Sequence, residues 1–218
     1  NAAGCALLGG HTGEGKELAL GFAINGLIDE KMSGVMRKGG MQAGDVLLLT
    51  KPMGTGTLFA AHARHAAKGR WVDAALQSMV HSNQAGAKIL RAHGATACTD
   101  LTGFGLLGHL SEMCEASNAS AMLLFEDVPT IDRAILDYYL EQKCVPGGTM
   151  RNWDSYGEAV DLPPGFDGAS RWRVAQTQQG GAQLVADIGA AGLTDQRRLK
   201  QYARLSQAPQ IAQQHAKF

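Results

Sequence analysis

Neither sign of charge is in excess in this chain: 20 lysines and arginines are matched by 20 aspartates and glutamates, for a formal net charge of zero. No basic stripe breaks that balance, which argues against a nucleic-acid binder. No apolar run approaches the ~20 residues that a membrane-spanning helix needs. Cysteine is scarce, and the four present, Cys5, Cys98, Cys114 and Cys144, include no Cys-x-x-Cys pair. Neither a zinc site nor a disulfide framework follows from them. Cys98 and Cys114 stand in apolar patterns and are expected in the core. With no segment that reads as a secretory leader, the expected setting is the reducing cytoplasm. Aromatics supply only 6% of residues while glycine reaches 28, a composition that suits an α/β protein with closely packed helices.

At 218 residues the chain can hold one large domain, or one domain with part of another, around a sizeable core. It opens without Met in Asn1-Ala2-Ala3-Gly4-Cys5, which reads as the tail of a helix entering a strand. The expectation is a fragment of a longer protein.

The stretch that organises the chain is Thr99-Asp100-Leu101-Thr102-Gly103-Phe104-Gly105-Leu106-Leu107-Gly108-His109-Leu110. Ala95–Cys98 before it reads as a strand, and Phe104, Leu107, Leu110 and Cys114 recur after it at helical spacing. Thr102 is the expected N-cap. Glycines in the first helical turns cost about 1 kcal/mol each relative to alanine, so close approach of another group is expected there. Two readings of Asp100 stand side by side. A carboxylate where a strand hands over to a glycine-lined helix N-terminus can hold a divalent cation beside phosphate. It can equally form the turn and cap the helix.

Upstream, Ala6-Leu7-Leu8 enters a glycine-rich loop over residues 9–15, and residues 17–26 form a second apolar segment that reads as strand. Gly10, Gly15 and Lys16 nearly match a nucleotide-binding P-loop, but Glu17 stands where that motif needs a hydroxyl, and a P-loop is rejected. The loop can be a phosphate-facing run of backbone N–H groups or a plain hairpin turn. Residues 30–44 read as a connection between domains.

Asp45–Thr50 is a continuous apolar strand. Lys51-Pro52 ends it, and Gly54-Thr55-Gly56 turns the chain; Lys51 could meet a phosphate at this strand end, but the expectation is that it faces water. A helix follows over residues 58–67, closed by Gly69, with His62 and His65 on its surface. Residues 71–93 read as one longer helix ended by Gly94. Residues 121–125 read as a strand, and residues 131–141 as a helix after Pro129. The glycine turn at residues 146–149 presents Thr149, Arg151 and Asn152, which can bind an oxyanion through fork-shaped and amide donors. Alternatively Arg151 pairs with a surface acid while Trp153 and Tyr156 pack beneath.

The stretch from Thr99 to Leu110 resembles the signature of selenophosphate synthetases (selenide, water dikinases), in the superfamily that includes aminoimidazole ribonucleotide synthetase. Gly9-Gly10-His11-Thr12, Thr50–Gly56 and Val145–Asn152 resemble further family segments in the same order. The resemblance implies an α/β (α+β) fold, a mixed sheet flanked by helices. Residues 1–38 would be the end of an N-terminal ATP-binding domain and residues 39–218 the C-terminal domain. It implies ATP and selenide as substrates, magnesium and possibly potassium as cations, and a homodimer in the whole protein. Gly9, Gly10, His11 and Thr12 would approach ATP, Asp100 would ligate the metal, and Asn83 would line the cleft between domains. The family's catalytic Cys or selenocysteine and its lysine are expected upstream of this chain, which should therefore not turn over ATP alone. Residues 165–218 depart from the pattern: Val174–Gly181 lacks the family's aspartate, and no closing strand is expected beyond Leu193. A sister enzyme of the superfamily and a non-catalytic α/β anion-binding or subunit-interaction module are the alternatives.

Overall fold

Val46–Leu49 forms β1, with Leu47 almost fully buried. In the computed structural model, which describes residues 4–32, 34–166, 168–178, 182–187 and 203–204, the chain divides into two units, Asn1–Val35 and Met36–Phe218.

In the second unit β1 lies between β3 (Ala182–Asp187) and β4 (Ala203–Arg204), and β3 pairs on its other side with β2 (Ala97–Leu101), giving the order β2-β3-β1-β4. Every ladder among the described residues is antiparallel. The parallel element of the expected mixed sheet is, among these residues, a single bridge between Met53 and Thr130 outside the sheet. Period-two alternation sends Ala97, Thr99 and Leu101 inward, whereas Asp100 is exposed. Asp45, just before β1, is buried and accepts from the Gln42 amide at 2.9 Å and the Thr96 hydroxyl at 2.6 Å.

Among the described residues the unit also contains the helices α1 (Thr55–Ala63), α2 (Gly69–Val80), α3 (Gln84–Ala92), α4 (Gly105–Ser117), α5 (Arg133–Glu141), α6 (Gly148–Tyr156) and α7 (Gly168–Ala175). Leu106, Leu107, Leu110 and Met113 of α4 join Leu47, Leu101, Leu184 and Ala186 of the sheet in the main core. A smaller core is built from Leu58 and Ala61 of α1, Ala75 of α2, Leu136 and Tyr139 of α5, and Cys144. β3 is interior to the sheet, between β2 and β1.

Several boundaries differ from expectation. Gly69 opens α2 rather than closing α1, which ends before His65 at φ 57°. The helix read over residues 71–93 breaks into α2 and α3 because His81 is extended and the Ser82 hydroxyl accepts from the Gln84 amide at 3.1 Å. Residues 121–125 carry no strand; a 3-10 turn over Phe125–Asp127 follows them. The loop at residues 146–149 passes directly into α6, and Ala203–Arg204 pairs with β1 where no closing strand was expected. Cys98 and Cys114 are only half-buried, and Cys144 is the buried cysteine.

Among residues 4–32 of the first unit there is no strand or helix, and Leu18, Leu20, Phe22 and Ile24 are exposed despite their alternation. The strands expected over residues 6–8 and 17–26 are absent there because a strand exists only as one side of a ladder. A turn closes the unit, with the Met32 amide donating to the Asp29 carbonyl at 2.9 Å and Val35 to Met32 at 3.1 Å.

Candidate functional site

Asp100 lies inside the end of β2, opposite Gln183, rather than just beyond the strand. Its side chain is exposed on the face opposite the core. On that same face the Cys98 thiol is pushed above its ordinary value, first by burial and then by the negative charge of Asp100.

The turn that follows is pinned from several sides. Gly105 has φ 73°, and a Cβ there would lie 2.6 Å from the Gln176 carbonyl oxygen and 2.8 Å from that of Ala175. Only glycine lets α4 start against α7, which accounts for the helix-weakening residue at this position. Thr102 does not cap α4, since no side chain caps that helix. Its Oγ1 instead lies 3.3 Å from His109 Nε2. The Thr102 carbonyl accepts from the Gln178 amide at 3.0 Å, and Asn152 Nδ2 donates to the Gly103 carbonyl at 2.6 Å. His109 is buried, its Nδ1 lies 3.3 Å from Glu112, and Glu112 accepts from Lys38 at 2.7 Å. Burial pushes the Glu112 carboxyl up, but the hydrogen bond and charge of Lys38, followed by those of His109, bring it below its ordinary value.

Gly9, Gly10, His11 and Thr12 are exposed in the first unit. Asn83 is half-buried at the start of α3, where its carbonyl accepts from the Ala87 amide at 2.9 Å. Thr149 is fully buried and its hydroxyl accepts from the Thr177 amide at 3.2 Å. Arg151 is exposed on α6, and Asn152 is half-buried with its amide on Gly103. Thr149 and Asn152 thus hold backbone, while Arg151 presents its guanidinium to solvent. Among the described residues no group of three or more His, Cys, Asp or Glu could hold a metal ion.

Sequence reasoning missed Thr55, Gln176 and Gln178, and expected Lys51 to face water. Lys51 does not face water: it is 8% exposed, and burial pushes its ammonium below the ordinary value. Gln176 is fully buried; its Oε1 accepts from the Thr57 hydroxyl at 2.5 Å and the Thr57 amide at 3.3 Å, and its Nε2 donates to the Arg173 carbonyl at 2.8 Å. Gln178 accepts from the Gly54 amide at 3.1 Å and the Thr55 hydroxyl at 3.0 Å. The available signal was a glutamine pair at spacing two beside Gly180-Gly181, in a stretch set aside because it lacks an acid.

Residues 42–144 match the family model described as AIR synthase related protein, C-terminal domain. A selenide, water dikinase of Aeromonas hydrophila is 40% identical over 184 residues, covering 84% of this chain and 51% of that protein. The Pseudomonas aeruginosa protein of that name is 40% identical, with coverage of 84% and 52%. The Haemophilus influenzae one is 42% identical over 160 residues, with coverage of 73% and 45%. This chain therefore spans about half the length of the curated relatives it matches. Among solved structures, a thiamine-monophosphate kinase from Stenotrophomonas maltophilia gives a TM-score of 0.48 at 15% identity, over 78% of this chain and 49% of that one.

Proposed function

We propose that this chain, whose residues 42–144 match the AIR synthase related C-terminal domain, is part of a selenide, water dikinase. The reaction is the conversion of ATP, selenide and water to selenophosphate, AMP and orthophosphate. Residues 1–38 are then the end of an ATP-binding domain and residues 39–218 the C-terminal domain. The whole protein works as a cytoplasmic homodimer, with magnesium and potassium as its cations.

The observation that carries this reading is the exposed carboxylate of Asp100 at the end of β2, inside a stretch covered by the 40% identity to the dikinases. The donor set fits magnesium: a solvent-facing carboxylate is a hard oxygen ligand, and Mg²⁺ takes only one or two protein carboxylates beside water and phosphate. When bound, the ion supplies neutralisation of charge on phosphoryl oxygens. Asp100 would hold it. The Gly9–Thr12 loop would offer backbone N–H groups to ATP phosphate, and the exposed Arg151 would add a guanidinium fork. Asn83 would border the cleft. Thr149 and Asn152 serve the site indirectly, by fixing the Thr177 amide and the Gly103 carbonyl.

Isothermal titration with ATP in the presence of magnesium tests the reading. The expected result is binding that Asp100→Asn weakens roughly tenfold, equivalent to about 1.4 kcal/mol, with the melting temperature retained because the side chain is exposed. Equal affinity in the variant overturns the metal-ligand role.

A further inference from the structure

Asp100 is exposed, so packing does not aim its carboxylate; the backbone on either side of it does. Two consecutive residues, Arg37 and Lys38, act on that backbone from both sides. The Arg37 carbonyl accepts from the Cys98 amide at 2.7 Å, two residues before Asp100. Lys38 reaches Thr102, two residues after it, through a chain of side chains. Its ammonium donates to Glu112 Oε2 at 2.7 Å, the same oxygen lies 3.3 Å from His109 Nδ1, and His109 Nε2 lies 3.3 Å from Thr102 Oγ1.

The segment that holds Arg37 and Lys38 has a built seat. The Ser117 hydroxyl, at the end of α4, accepts from the amides of Gly40 and Met41 at 3.1 Å each. Gly40 has φ 126°, and a Cβ there would lie 2.4 Å from the Thr96 carbonyl oxygen, so only glycine lets the chain pass this close to the start of β2. Residues 37–41 thus lie against both the strand that carries Asp100 and the helix that follows it.

His109 is the central member. It is 5% exposed, and a helix that needed only a core side chain here would have no use for two polar ring atoms. The Glu112 carboxylate can only accept, so the facing Nδ1 carries a proton; in the neutral ring Nε2 is then the acceptor for the Thr102 hydroxyl. Glu112 therefore selects the tautomer, and the tautomer decides which way the Thr102 hydroxyl points. Phe104, in the same turn, adds a ring contact to the imidazole at 5.5 Å between centroids.

We propose that His109 is a positioning residue for the Asp100 carboxylate, kept in one tautomer by Glu112 and Lys38 and acting through Thr102. The inference rests on the metal-ligand role given to Asp100 above and adds the residues that hold this ligand in place. Magnesium demands near-ideal octahedral geometry, so a carboxylate whose supporting turn wanders is a poor ligand for it.

Isothermal titration of the purified chain with ATP, once with magnesium and once in EDTA, tests it on His109→Leu, His109→Gln and Asp100→Asn. His109→Leu removes both ring nitrogens, whereas His109→Gln keeps a polar atom within reach of Thr102. The expected result is an affinity for ATP with magnesium roughly tenfold weaker in His109→Leu and within about twofold of the parent in His109→Gln. In EDTA the affinity of His109→Leu for ATP should equal that of the parent, which separates positioning of the metal ligand from general damage to the fold. Should His109→Leu fail to fold, Glu112→Ala on the half-exposed acid decides by the same two titrations, with a loss of about threefold confined to the magnesium arm. Parental affinity in a folded variant, or equal losses with and without magnesium, overturns the proposal. If Asp100→Asn also binds like the parent, or the parent does not bind ATP with magnesium, the metal-ligand role falls together with it; if Asp100→Asn is weakened while His109→Leu is not, only the positioning role falls.

Discussion

Thr102 Oγ1 lies 3.3 Å from His109 Nε2, so the residue expected to cap α4 is instead tied to a ring in the body of that helix. The imidazole is buried and its other nitrogen faces Glu112. The turn after Asp100 is thereby fastened to the helix it precedes. Thr102→Val removes the hydroxyl at nearly constant volume. The expected loss is about 1 kcal/mol of unfolding free energy, the usual worth of one such hydrogen bond, read from urea melts. A variant as stable as the parent would show that the contact contributes nothing.

Glu112 extends the chain to Lys38 and gives it a pH dependence. Its folded carboxyl titrates below the ordinary value, so its contribution is present above the unfolded pKa and is lost as pH falls through the folded one. Lys38→Met should lower stability slightly at pH 7, by less than about 1 kcal/mol for so exposed a pair. The difference should vanish once the pH is low enough to protonate the folded carboxyl, below the ordinary glutamate range. Urea melts at the two pH values check it; an unchanged difference in acid would rule out the ionic origin.

Gly56 and Gly147 separate close packing from open space. A Cβ at Gly56 would lie 1.9 Å from the Thr177 carbonyl oxygen, whereas one at Gly147 meets nothing within 4 Å. Gly56→Ala is expected to destabilise by about 2–3 kcal/mol through forced backbone movement. Gly147→Ala should stay within about 0.5 kcal/mol of the parent. Thermal and urea unfolding of the pair provide the comparison.

Gln176 is fully buried and is the acceptor for both the Thr57 amide and the Thr57 hydroxyl. Gln176→Leu keeps the bulk and removes the acceptor. Leaving those donors unsatisfied is expected to cost about 2–3 kcal/mol, measured as a drop in the urea midpoint. Adding Thr57→Val should recover part of that loss, since it removes one orphaned donor.

The cysteines should react in an order set by burial. Cys5 is exposed, while burial raises the Cys98 and Cys114 thiols, which reduces their thiolate fraction at a given pH. Iodoacetamide at pH 8 with peptide mass spectrometry should show Cys5 modified first, with Cys98 and Cys114 at least roughly tenfold slower. In denaturant the difference should disappear.

Local pattern was enough to determine the α/β class, β1, α5 and the placing of an acid where β2 gives way to α4. Each depends on side-chain periodicity or a residue's own backbone preference, which neighbours in sequence express. The wording of residues 99–110 also carried the family. Tertiary structure decided what no window of sequence contains. Thr102 serves His109 rather than the α4 terminus because the buried ring stands over it. Lys51 is enclosed because a segment more than a hundred residues later folds over α1, Gln178 being 124 positions from Gly54. Thr149 and Asn152 hold backbone rather than solvent anions for the same reason: the partners that satisfy a polar group are chosen by proximity in space. In residues 17–26 the alternation of a strand is present but no ladder forms among the described residues, since pairing belongs to two segments and a pattern belongs to one.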